Sequence, residues 1–116
     1  MPNISFVIPV YKKNDSLPRC LKHLKAQSFT DWELIAVLDG PDSEAERIIH
    51  KAMKNSKNKY RVTTVEHGGA PRARNAGLAL AVGDFISFLD ADVYLESGAS
   101  QVWLQVFNKF PDVDFV

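Results

Sequence analysis

Cys20 is the only cysteine among the 116 residues of this chain, so no intrachain disulfide can hold it together. Neither sign of charge predominates: 14 Lys and Arg stand against 14 Asp and Glu. Nothing in that balance points to nucleic acid or an anionic membrane surface as a partner. No apolar run approaches the roughly 18 residues of a membrane span. The N-terminus lacks a basic segment followed by an apolar core, the mark of a secretory signal. Internal repeats and low-complexity segments are missing as well. What remains is an ordinary globular composition, 46% apolar and 24% charged, with length for one domain and one core. The expected compartment is the cytoplasm, or the inner face of its membrane, and Cys20 is expected as a small core residue.

Short apolar runs alternate with helical periodicity along the chain. Ile4–Val10 reads as a buried strand, with Pro9 near its end. From about Ser16 a helix follows, with Asp15 as its expected cap and Leu17, Cys20, Leu21 and Leu24 on one face. Leu34–Leu38 is a second strand, closed by the turn signal Asp39-Gly40-Pro41. Ser43 and Glu46 match a capping box before the stripe Ala45, Ile48, Ile49, Ala52 and Met53. After the polar loop Lys54–Lys59, Tyr60–Val65 is a third strand. The loop His67–Pro71 leads into a small-residue helix over Arg72–Ala81, ended by Gly83. Asp84–Leu89 is a fourth strand. Ser97 is expected to cap a last helix whose Ala99, Val102, Trp103, Val106, Phe107 and Phe110 face the core. Asp112–Val116 reads as the opening of another strand, so the chain is expected to be the first part of a longer protein.

Such alternation predicts an α/β fold with a doubly wound, mainly parallel sheet and helices on both faces. Ligands of these sheets bind outside the carboxyl ends of the strands. Tyr11–Asp15, Asp39, His67-Gly68-Gly69 and Asp90-Ala91-Asp92 each follow a strand, so all four segments converge on one edge. The last is chemically the most pointed. Two carboxylates one residue apart repel each other and call for a neutralising partner. A hard divalent cation such as Mg²⁺ or Mn²⁺, shared with substrate phosphates, would supply it. On the triplet alone, a solvated turn is an equal reading. Arg72 and Arg74 open a helix after two glycines, where amide dipoles favour a phosphate. Two residues apart, they face different ways.

Four segments together resemble the family 2 glycosyltransferases, which share the GT-A fold. They are Ser5-Phe6-Val7-Ile8-Pro9-Val10-Tyr11, Leu38-Asp39-Gly40, the run from Gly69 to Gly77, and the run from Gly83 to Asp92. Each is weak alone; in this order, over about residues 4–97, they are specific. The resemblance implies a single nucleotide-sugar-binding domain over residues 1–116, part of an inverting, metal-dependent glycosyltransferase. Its donor would be a nucleotide-diphosphate sugar, with a UDP-sugar favoured, and its acceptor a saccharide or a lipid-linked sugar. It further implies that Pro9, Val10 and Tyr11 line the base pocket and that Asp39 accepts a hydrogen bond from a uracil-type base. Arg74 would meet phosphate, Asp92 would bind the metal, and Asp90 would touch ribose or metal. Tyr11 as a plain strand-end residue and Asp39 as the first residue of a turn are the competing readings.

The chain also departs from the pattern. Val93 stands where many members carry a further Asp, and Leu38 where an acidic residue is common before Asp39. The carboxylate base of inverting members lies past the D-x-D motif, beyond Val116. A receiver-type signalling module is the alternative for this length and pattern. It needs acidic residues after the first strand and a lone Asp after the third, where this chain has Tyr11-Lys12-Lys13 and Glu66-His67-Gly68-Gly69. A dinucleotide-binding dehydrogenase domain needs G-x-G-x-x-G after the first strand, and Pro9–Asn14 holds no glycine. His67, with no Cys or second His nearby, is expected to be structural.

Overall fold

The computed structural model describes residues 3–110 and Asp112. Among them, four parallel strands form one sheet: β1 (Ile4–Val10), β2 (Trp32–Asp39), β3 (Tyr60–Val65) and β4 (Phe85–Phe88), in the order β3-β2-β1-β4. Four helices alternate with them: α1 (Leu17–Lys25), α2 (Ser43–Met53), α3 (Ala70–Leu80) and α4 (Ala99–Lys109).

Side-chain parity along the two central strands decides the layers. Ile4, Phe6, Ile8 and Val10 of β1 point to one face, with Trp32, Leu34, Ala36 and Leu38 of β2. There they pack on the apolar stripes of α1 and α2 and on Trp103 and Leu104 of α4. Val7, Ile35 and Val37 point to the other face, which α3 covers through Ala73. With helices on both faces, the central strands read as continuous apolar runs rather than alternating ones. The predicted doubly wound α/β sheet is therefore the observed one.

From β1 the chain steps outward to β2 and β3 through α1 and α2. It then crosses the opposite face as α3 and lays β4 on the free side of β1. The strand order reverses between β1 and β4, and sheets of this kind bind ligands in the crevice at such a reversal. Pro9 fits this opening. The Leu89 amide donates to the Val7 carbonyl and the Phe85 amide to the Asn3 carbonyl, so odd-numbered positions of β1 turn their backbone toward β4. The β1–β4 pairing ends at Val7 and Phe88. Pro9 comes next in that parity, where its missing N–H forfeits no ladder bond.

Two carboxylates on the α3 side of β2 hold the helix at both ends. Near its C-terminus, Glu33 accepts from the Val82 amide at 2.9 Å and from the Ser5 hydroxyl, whose oxygen accepts from the Gly83 amide at 2.8 Å. At its N-terminus, Asp39 accepts from the Gly68 and Gly69 amides. The strand between the two acids is about 20 Å long at ~3.3 Å per residue. The 11 residues of α3 span about 16 Å, so helix and strand match in length.

Several element ends differ from the sequence reading. Asp42, not Ser43, caps α2: its backbone is extended and its side chain accepts from the Ala45 amide at 3.0 Å. Asp15 does not cap α1; Ser16 stands at the N-cap, and its hydroxyl serves the Lys13 and Ala91 carbonyls. The third helix starts at Ala70 rather than Arg72, because Pro71 suits the first turn. Gly83 does not end it. Ala81 is the C-cap, and a Cβ on Gly83 would lie 2.8 Å from the Ser5 nitrogen, so glycine is there for close approach. Helix α4 begins after Gly98 with no side-chain cap, while the Ser97 carbonyl accepts from Ser28. Val102 and Phe110 are exposed, and Leu104 joins Trp103 against the core in their stead. Beyond Asp112, the predicted strand to Val116 lies outside the described residues.

Gly77 sets how closely α3 lies on the sheet. A Cβ there would meet Val7 Cγ1 at 2.3 Å and Val37 Cγ2 at 3.1 Å, both buried in the sheet. Gly77→Ala is therefore expected to destabilise the fold by about 1–3 kcal/mol, as overpacking does, despite alanine's better helix propensity. Urea unfolding checks this, and an unchanged or raised midpoint would contradict it.

Candidate functional site

Asp90-Ala91-Asp92 follows β4 at the crevice. Ala91 is buried in the core under α1, so the flanking residues Asp90 and Asp92 must present their carboxylates outward. The segment is pinned to α1. The Ser16 hydroxyl donates to the Ala91 carbonyl, the Cys20 thiol approaches the Asp90 carbonyl at 3.7 Å, and the Val93 amide closes a turn onto the same carbonyl. Farther along, Gln27 binds the Glu96 carbonyl and Ser28 that of Ser97. Burial first, then Asp92 and Asp90, push the Cys20 thiol up to about 12, so it stays neutral and serves packing.

Each carboxylate has one cationic partner. Arg74 Nη2 lies 3.1 Å from Asp90 Oδ1, and Lys13 Nζ lies 3.2 Å from Asp92 Oδ2. Both pairs are substantially exposed. Pairs of this kind contribute about 0–1 kcal/mol to stability, which makes them easily exchanged. Two carboxylates beside each other form a hard, oxygen-only donor set. Among the described residues no group of three or more His, Cys, Asp or Glu side chains could cage an ion. Asp90 and Asp92 could hold a hard cation only together with ligands from outside the protein.

The second cluster surrounds Asp39. Its side chain is only 3% exposed. Oδ1 accepts from the Gly68 amide at 2.9 Å and Oδ2 from the Gly69 amide at 3.1 Å, and His67 Nδ1 lies 3.1 Å from Oδ2. The Gly68 amide holds this carboxyl below the usual carboxylate range; burial opposes it, and His67 and the Gly69 amide assist. His67 in turn stacks on Tyr11, with ring centroids 4.3 Å apart and planes inclined by 12°. Lys12 lies 5.3 Å from the centroid of the same tyrosine.

Tyr11, Asp39, Arg74, Asp90 and Asp92 thus all stand at the carboxyl edge of the sheet, beside Pro9. Val10 turns its side chain into the core instead, since its parity is that of Phe6 and Ile8. Arg72 is exposed and lies over Gly68, in keeping with the solvated role expected of it. Two residues escaped the sequence reading. Lys13 bridges to Asp92 over a long sequence separation that no local pattern announces. His67, expected to be structural, joins Asp39 to Tyr11, contacts that the sequence reading did not name. Its position directly after β3, on the edge shared with Asp39, was the available signal.

The profile described as Glycosyl transferase family 2 matches residues 5–116. The chain belongs to this family. Glycosyltransferase GlyG of Streptococcus pneumoniae serotype 4 is 33% identical over 112 residues, which is 95% of this chain and 37% of that protein. The poly(ribitol-phosphate) beta-glucosyltransferase of Bacillus spizizenii is 35% identical over 91% of this chain and 17% of its own length. Among solved structures, S. aureus TarS superposes with a TM-score of 0.83 at 26% identity, over 92% of this chain and 32% of that one. TarS has also been crystallised with UDP and with UDP-GlcNAc. The fold of this family 2 chain is accordingly GT-A-like. It spans about a third or less of the length of these relatives.

The lowered Asp39 carboxyl has a consequence for stability. Because the folded value lies below the unfolded one of about 3.9, the contribution is complete above that pH and is lost as pH falls through the folded value. Asp39→Asn is expected to melt at a lower temperature than the parent at pH 7, with the gap constant down to about pH 4 and narrowing as pH falls below it. A gap that stays constant below about pH 4 as well would remove the charge from the explanation.

Proposed function

We propose that this chain binds a nucleotide-diphosphate sugar, a UDP-sugar in preference, at the carboxyl edge between β1 and β4. In this reading it is the donor half of an inverting glycosyltransferase that transfers the sugar to an acceptor hydroxyl on a saccharide or a lipid-linked glycan. The observation that carries it is the outward-facing pair Asp90 and Asp92 at the strand-order reversal. Each is neutralised by one exposed, exchangeable cation. The complexes of TarS with UDP and UDP-GlcNAc support the donor class.

The chemistry of the donor set fits Mg²⁺ or Mn²⁺ held by Asp92 directly, with Asp90 on the metal or on the ribose. Such an ion neutralises the diphosphate and so makes it a better leaving group. The protein's own part is electrostatic. With a cation held by Asp90 and Asp92, Arg74 and Lys13 beside them would be free of these carboxylates. Both can then turn to the diphosphate, Arg74 from the first turns of α3 where helix amides add to its pull. Local charge stays balanced in both states, so binding leaves no uncompensated carboxylate. Tyr11 offers an aromatic surface for the base, and Pro9 keeps the adjacent strand edge open. Deprotonation of the acceptor hydroxyl falls to a carboxylate outside residues 1–116. No helix of the described residues is long and apolar enough to cross a membrane.

Titration calorimetry with UDP in the presence and absence of Mn²⁺ tests the reading. Binding is expected to be tighter with the metal, and Asp92→Asn is expected to remove that enhancement while the fold, followed by circular dichroism, persists. Equal affinity with and without metal in the parent chain would overturn the metal-dependent site.

A further inference from the structure

We propose that the α1–α2 layer, at the amino edge of the sheet, is a docking surface for an anionic phospholipid membrane. The inference does not depend on the donor-site reading above. The even balance of charge along the chain conceals a segregation. Six of the nine lysines are Lys22, Lys25, Lys51, Lys54, Lys57 and Lys59. Lys22 and Lys25 lie in the last turn of α1, Lys51 in the last turn of α2, and Lys54 at its C-cap. Lys57 and Lys59 follow in the loop before β3. Between parallel strands the helices run back from the carboxyl edge, so all six gather toward the amino edge, away from the crevice. The two helix ends are joined there, where Lys25 Nζ donates to the Ala52 carbonyl at 2.6 Å. All six lysines are exposed, and among the described residues none forms an ion pair. The acids of α2, Glu44 and Glu46, stand in its first turn at the opposite end. Of the exposed acids toward the amino edge, Asp31 precedes β2, while Asp84 and Glu96 belong to the β4 side.

Cations near a helix C-terminus complement its dipole. That accounts for Lys25 and Lys51, but not for Lys57 and Lys59 in the loop. A cluster of about four to eight basic residues is the size that draws a protein to the negative surface of a bilayer. The chemistry favours lipid over nucleic acid. Each cation of the cluster is a lysine, a point charge, whereas the arginine fork is the group suited to nucleic-acid recognition. Tyr60, which follows the loop, is half-buried with its hydroxyl 2.8 Å from His50, and so offers no open ring for stacking a base. Between α1 and α2 lies a cleft of about 380 Å³ lined by Pro18, Lys22, Lys25, Ala26 and Ala52. Small apolar walls beside two ammonium groups suit a phosphate headgroup and the glycerol behind it. With this edge on the lipid, the crevice faces away from it, about 25 Å off along the eight residues of β2.

Sedimentation with vesicles tests the surface. At about 0.1 M NaCl the chain is expected to bind vesicles of phosphatidylcholine and phosphatidylglycerol in equal parts, but not vesicles of phosphatidylcholine alone. Salt at about 0.5 M is expected to release it. One lysine near such a surface is worth about fivefold in partitioning. The triple variant Lys51→Gln, Lys54→Gln, Lys57→Gln is therefore expected to bind about a hundredfold more weakly. A control triple, Lys12→Gln, Arg72→Gln, Lys109→Gln, removes the same net charge elsewhere and is expected to weaken binding by less than about fivefold. Thermal melts establish that both variants fold. Equal losses in the two would reduce the effect to net charge and overturn the surface, as would a parent chain that ignores anionic vesicles. Release of the vesicle-bound chain by oligothymidylate of equal total charge would assign the lysines to nucleic acid and overturn the lipid. Each of these results leaves the donor site standing.

Discussion

One face of β2 governs the placement of everything at the site. Glu33, Ile35, Val37 and Asp39 share a side of that strand by simple alternation. The two apolar residues support α3 from below, and the two acids hold the backbone amides at its ends. The helix can therefore neither slide nor tilt without breaking a buried charge-assisted hydrogen bond, which is among the stronger polar contacts a protein makes. Arg74 reaches Asp90 only because α3 is fixed along its axis. The Gly68-Gly69 turn, and with it His67, is held by the same carboxylate that starts the helix.

The carboxyl edge is built on the opposite principle. Its charges are paired but exposed, its rings stacked but half open. Such contacts add little to stability. They keep carboxylates and cations near one another without committing them, which is what a surface needs if a charged ligand is to enter without a large desolvation cost. The rigid acids lie under the helix, and the exchangeable ones face the crevice.

Most of the fold was legible because burial on both faces makes parallel strands stand out as unbroken apolar runs, as in Ile4–Val10 and Leu34–Leu38. The convergence of Tyr11, Asp39, Arg74, Asp90 and Asp92 on one edge followed from strand-helix alternation alone. Helix starts were less legible: Asp42 and Ser43 are both good capping residues, and only backbone geometry tells which is extended. Pattern could not separate Leu104 from Val102, because the short α4 covers only the margin of the core beside β4. Lys13 and His67 were hidden for another reason. Their meaning lies in partners far along the chain, Asp92 in one case and Asp39 with Tyr11 in the other, and composition carries no trace of such pairings.

The knot of Ser5, Glu33 and Gly83 sits at the amino edge, remote from the crevice. It anchors α3 and the start of β4 at the end of the sheet away from the crevice. Loops at the other edge are thereby free to change length and residue without the framework losing its footing. A lineage built on this framework could drift from one donor to the next through substitutions that selection for folding hardly sees.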